Sequence, residues 1–217
     1  IRMGERFDAV HVTGAPGLDG LLEMADMPVK DVMTALNLPF NQPFILTVFH
    51  PIVQQAVDAY KQTCSLLTAL KRTGLPVIWL EPNSDAGSND ILKALSDIGL
   101  PAGSIQLKHM QRDLFSAAMK HCAVMVGNSS AGIIEAALFS TPVVNVGDRQ
   151  RLRERSANVV DVSPDADAIY TAVAGTLKIG KVPCDNRYGD GLAGPRIASL
   201  LTTLILNRSV LDKSNSY

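Results

Sequence analysis

Apolar residues in this chain fall into short, nearly continuous runs, separated by stretches where they recur every three or four positions. The runs stand at 9–12, 44–48, 77–80, 105–107, 124–126, 143–146 and 158–162. Most are apolar throughout rather than alternating, the pattern of strands buried on both faces of a parallel sheet. Between them, residues 54–73 place Val57, Tyr60, Cys64, Leu67 and Leu70 along one helical face and stop at Gly74. Further helices are expected at 88–98, 113–121, 131–139, 165–177 and 194–205, while 183–195 lacks a clear period. Strand and helix alternating in this way predict an α/β, Rossmann-like doubly wound parallel sheet with right-handed crossovers. With no internal repeat and no linker, residues 1–217 read as one such domain.

Composition narrows the function classes. Apolar residues make up 47% and charged residues 19%, as in ordinary globular domains. Twenty basic against 21 acidic side chains leave no basic field for a nucleic-acid backbone. No apolar run is long enough to span a bilayer, and the opening residues do not form a signal peptide. A chain that opens on Ile1 and leads straight into a strand-like run reads as a piece of a longer protein. Three scattered cysteines, Cys64, Cys122 and Cys184, argue against a disulfide framework and for a reducing, cytoplasmic setting. Each reads as a small buried hydrophobe, and no metal-ligand spacing is present.

Ligands of such sheets sit beyond the carboxyl ends of the strands, so the residues found there carry the functional argument. After the run at 124–126 come Gly127, Asn128, Ser129 and Ser130, then a helix bearing Glu135. Helix N-termini attract anions, and the two serine hydroxyls add donors for phosphate oxygens. Glu135 lies about one turn on, where a carboxylate can accept both hydroxyls of a ribose. A capping pair followed by a solvated glutamate accounts for the same residues equally well. His50 ends the run at 44–48 and suits a departing diphosphate, although a strand-end histidine is often satisfied by backbone. Asn83 and Asp85 follow the next run, where a capped turn is an equal alternative. Lys108-His109-Met110 closes the run at 105–107, where backbone groups suit a base edge and a simple strand exit is the plain alternative. Arg149 follows 143–146 and suits an anion, whereas Arg151, Arg153 and Arg155 read as a solvated face.

Two other chemistries fail on spacing. The stretch 127–131 approaches a nucleophile elbow, but its last position is Ala131 and no histidine follows His121. The glycines at 14, 17 and 20 do not fit a dinucleotide loop, and Pro16 removes a donor, so 14–20 reads as a turn into a helix.

Taken in order, Gly4-Glu5, Thr13-Gly14-Ala15-Pro16, His50-Pro51, the stretch 82–88, Gly127-Asn128-Ser129-Ser130 with Gly132 and Glu135, 141–150, and the tail 183–197 resemble the hydrolysing UDP-N-acetylglucosamine 2-epimerases. The resemblance runs through nearly the whole chain. It implies the C-terminal half of a two-domain, glycosyltransferase-B-like enzyme whose active site lies between the halves, with the last helix packing toward the other. It further implies UDP contacts by His50, Asn83, Ser129, Ser130, Glu135 and Arg149, and by the backbone of Met110. The reaction implied is elimination of UDP followed by hydration to N-acetylmannosamine, in sialic-acid-type biosynthesis. No cofactor or metal is implied. Proton transfer belongs to carboxylates of the other half, leaving His50 as the catalytic candidate here, assisting UDP departure. Gly147-Asp148-Arg149-Gln150 sides with the hydrolysing branch. A UDP-diacetamido-trideoxyhexose as substrate, a UDP-sugar glycosyltransferase of the same fold, and a non-enzymatic UDP-binding module stay open, as does a homo-oligomer.

Overall fold

The computed structural model describes residues 4–39, 42–205 and 208. Its contacts divide the chain into two compact units, 21–187 and a smaller one of 1–20 with 188–217.

The larger unit is built on a six-stranded sheet: β1 (Ile45–Val48), β2 (Val77–Leu80), β3 (Ile105–Leu107), β4 (Val124–Gly127), β5 (Val143–Val146) and β6 (Val159–Val162). The order is β3-β2-β1-β4-β5-β6, and every pairing is parallel. Its helices are α1 (Leu21–Met24), α2 (Val29–Ala35), α3 (Ala59–Thr73), α4 (Ser88–Ile98), α5 (Arg112–His121), α6 (Ser130–Ile134) and α7 (Ala166–Ile179). Side-chain alternation along each strand feeds two cores. On one face Ile45, Val77, Trp79, Val124, Val126 and Val144 pack with Leu66, Leu70, Ile91, Leu95, Ile169 and Val173 of α3, α4 and α7. On the other, Leu46, Val48, Ile78, Met125 and Val143 pack with Val32, Met33, Ala117, Met119 and Ala131 of α2, α5 and α6. This is the doubly wound Rossmann-like layer that the apolar runs predict.

Helix ends follow local chemistry. Gly74 closes α3 at φ +68, and Asp165 caps α7 by accepting from the backbone N–H groups of Asp167 and Ala168, each at 3.0 Å. Three expectations need correction. The helix expected from 54 begins instead as a 3-10 segment, Val53–Asp58, broken at Gln55 (φ −124). The break rotates Val57 out of register, and it is 92% exposed. The helix expected over 131–139 is two pieces: α6 ends at Ile134, and Ala136–Phe139 winds as a tighter 3-10 turn. The chain must reverse at Ser140 (φ +52) to enter β5 only three residues later.

The run at 9–12 is not a strand. A 3-10 turn spans Phe7–Ala9, and Val10 and Val12 are 46% and 96% exposed. Residues of high strand propensity need a partner strand, and among the described residues of its own unit this segment has none. The elements described in that unit include this turn, a second at Pro16–Leu18 and α8 (Ala193–Thr203). Asp19 caps α8 through the backbone N–H groups of Ala193 and Gly194. Arg196 grips Asp190 through both guanidinium nitrogens at 2.6 and 2.7 Å, holding that carboxyl down at about 2.

Candidate functional site

Strands β1 and β4 lie side by side, yet the helices that follow them, α3 and α6, pack on opposite faces. A crevice opens at such a switch point, and His50 and the 127–130 segment stand at its two lips. Their approach is very close. A Cβ placed on Gly127 would lie 2.2 Å from the carbonyl oxygen of Val48, and φ there is +143. Only glycine fits.

Asn128 is fully buried and ties the two lips together. Its Oδ1 accepts from the backbone N–H of His50, and its Nδ2 donates to the His50 carbonyl, both at 2.8 Å. Its own carbonyl accepts from Arg149 Nη1 at 3.1 Å and from the buried Gln150 Nε2 at 2.8 Å. One residue thus joins the ends of β1, β4 and β5. The end of β2 is added through the Asn83 backbone N–H, which donates to His50 Nδ1 at 3.2 Å. With Nδ1 engaged as an acceptor, the neutral ring carries its proton on Nε2. Burial lowers the His50 pKa and the Arg149 charge lowers it further, against the hydrogen bond with Asn83 and the Asp85 charge, which raise it. His50 is therefore a neutral donor.

The β2 loop is itself braced. Asn83 Nδ2 donates to Asp85, and Ser88 Oγ, at the start of α4, donates to the Asn83 and Asp85 carbonyls. Gly87 (φ +96) sits so close to the β1 loop that a Cβ would lie 3.0 Å from Pro51 Cβ. Ser129 is the N-cap of α6, accepting from the Ala131 N–H at 3.3 Å, and Ser130 is the first helical residue. The capping alternative therefore describes the Ser129 oxygen, whose hydroxyl hydrogen is a donor in addition.

A second group lies at the far end of α6. Glu135 follows Ile134 directly, with its side chain 16% exposed. Arg112, the first residue of α5, donates through Nη1 to Oε1 at 3.3 Å and lies 3.2 Å from Oε2. The second contact is ionic without hydrogen-bond alignment, so Oε2 is buried with no hydrogen-bond partner. Burial raises the Glu135 pKa, and Arg112 opposes that rise. Two residues before Arg112, Met110 is buried in the same apolar core as Ala131.

His50, Asn83 and Arg149 are thus brought into one bonded network, with Ser129 and Ser130 adjoining it in sequence. Glu135 stands apart from it at the other end of α6, paired with Arg112, and the structure joins Met110 to neither. Reasoning from sequence does not find Asn128, Gln150 or Arg112. Asn128 and Gln150 stand inside the quoted motifs, but their partners are remote in the chain. Arg112 precedes the helical period at 113 and carries no spacing signal. Arg151 and Arg153 are exposed, and Arg155 pairs with Asp161. Among the described residues no His, Cys, Asp and Glu cluster could hold a metal, and no helix is long and apolar enough to cross a membrane.

An all-parallel α/β layer with polar side chains gathered at the ends of adjacent strands defines a Rossmann-like domain with a candidate site at that edge. The chain belongs to the UDP-N-acetylglucosamine 2-epimerase family, which residues 1–202 match. It is 41% identical over 220 residues to a hydrolysing UDP-N,N'-diacetylbacillosamine 2-epimerase of Legionella pneumophila, covering all of this chain and 58% of that protein. It is 29% identical over 195 residues to a UDP-N-acetylglucosamine 2-epimerase of Neisseria meningitidis, covering 88% of this chain and 50% of the relative. In fold it is similar to the Neisseria meningitidis UDP-GlcNAc 2-epimerase bound to UDP-GlcNAc, with a TM-score of 0.74 at 18% identity over 94% of this chain and 58% of that one. The S. aureus MnaA–UDP co-structure gives 0.71 at 17% identity, over all of this chain and 58% of that one. The chain therefore spans between 50% and 58% of the length of these relatives.

Proposed function

We propose that this chain is the nucleotide-binding half of a hydrolysing 2-epimerase acting on a UDP-linked 2-acetamido sugar. The observation that carries it is the network in which Asn128 ties His50 and Arg149 together at the switch point, with Asn83 joined through the His50 ring. In this reading, His50 Nε2–H, Arg149 and the Ser129 and Ser130 hydroxyls receive the diphosphate. Glu135 accepts the ribose hydroxyls, Asn83 contacts the nucleotide, and the Met110 backbone meets the uracil. A carboxylate of the other half removes the C2 proton as the C1–O bond breaks toward UDP. Charge then accumulates on the departing diphosphate, where a neutral donor and a guanidinium lower the barrier. Water adds to the resulting 2-acetamidoglucal at C1, and C2 is reprotonated on the opposite face. UDP-N-acetylglucosamine plus water thereby yields N-acetylmannosamine plus UDP.

The Legionella relative favours a second substrate of the same class, UDP-N,N'-diacetylbacillosamine. Incubation of the full-length enzyme with each sugar nucleotide, with products identified by NMR, decides between them. Release of UDP and free sugar without an acceptor supports the hydrolytic reading, whereas an absolute acceptor requirement would replace it with glycosyl transfer. For the site itself, Glu135→Ala and Ser130→Ala are expected to abolish calorimetrically detectable UDP binding. Unchanged affinity in both variants would remove the proposed site.

A further inference from the structure

Glu135 is an awkward residue to use as a ribose acceptor. A carboxylate accepts two hydroxyl protons well only when ionised, and this one is largely withdrawn from water. It belongs to no other ion pair among the described residues, and α6 and the Ala136–Phe139 turn supply no other charged side chain. The elements packed around it carry Arg112, Asp113, Lys120 and His121 on α5, and Asp185 and Arg187 in the segment whose Asn186 Nδ2 donates to the Ile134 carbonyl. Of these, Arg112 is the group in ionic contact.

Arg112 Nη1 lies between the two carboxylate oxygens, bonding Oε1 at 3.3 Å and standing 3.2 Å from Oε2, which has no aligned donor. A carboxylate met by a single guanidinium nitrogen keeps acceptor lone pairs for further donors. Arg112 is itself half exposed, so its charge costs little to keep while it offsets a partner that is not. We propose that Arg112 is a positioning residue for nucleotide binding, acting through Glu135 by fixing both the orientation and the ionisation of its carboxylate. This rests on the reading of Glu135 as the ribose acceptor.

The test is calorimetric titration of UDP into the intact protein across pH 6 to 8.5 for wild type, Arg112→Gln, Arg112→Lys and Glu135→Gln. Referring each variant's affinity to that of wild type at the same pH removes the titration of UDP itself. Loss of the Arg112 charge is expected to raise the pH at which Glu135 ionises, so Arg112→Gln should bind about tenfold more weakly at the acid end and recover toward the alkaline end. Arg112→Lys should restore most of the wild-type profile. A uniform loss at every pH in Arg112→Gln, or a profile identical to wild type, would overturn the positioning role while leaving the site in place. Wild-type affinity in Glu135→Gln would instead remove the ribose reading.

Discussion

At His50, burial and a neighbouring guanidinium act in the same direction, and both disfavour the imidazolium. The sign for stability follows. The unfolded chain takes up a proton near the ordinary histidine value, and the folded one does so only at lower pH. Stability contributed by the neutral ring is complete above the unfolded value and falls as pH drops from there toward the folded one. Nitrogen-detected NMR of the ring should show Nε2 protonated and Nδ1 bare at neutral pH. Arg149→Ala should move the midpoint upward, and an unmoved midpoint would show that Arg149 does not act on the ring. Little of this was legible in the sequence. His50 could be placed at a strand end, but its tautomer depends on a backbone N–H 33 residues away, and its anchor is Asn128, 78 residues away. Glu135 was legible as an acid at the right turn of a helix, whereas its partner Arg112 was not.

Among the elements, the strands were read best because apolar runs bounded by polar residues leave few alternatives. Segment 9–12 shows the limit of that reading: Val10 and Val12 have the composition of a strand without a neighbour to pair with. The helix after β4 shows another, since its short length is dictated by the reversal at Ser140 rather than by its own residues. Gly127→Ala should be the most damaging single-methyl change at this junction, because the new carbon collides with the Val48 carbonyl. Loss of soluble folded protein is the expected outcome, and a variant melting within a degree of wild type would contradict the close approach. Asn128→Ala removes two hydrogen bonds at a buried position and should cost about 2–4 kcal/mol, together with UDP affinity. Asp165→Ala loses a helix cap that is not part of the Asn128 network. It should cost about 1 kcal/mol in denaturant melts and leave UDP affinity unchanged.

At the scale of the molecule, Cys122 offers a reporter of global opening. It is fully buried at the end of α5, and burial pushes its thiol up to about 12, so it should resist alkylation while folded. If UDP binds the native state, saturating it at a hundred times its dissociation constant adds about 2.7 kcal/mol. Labelling of Cys122 should then slow by about a hundredfold, and a rate indifferent to UDP would argue against binding to the folded form. The interlock of Gly87 on Pro51 bears on how such a ligand arrives. Because the loops after β1 and β2 already touch backbone to ring, this floor is preorganised, with little chain entropy left to surrender when something settles on it. Encounter on this side should therefore look like docking onto a set surface, with one concentration-dependent phase in stopped-flow traces. Any slower phase would have to originate in some other part of the protein.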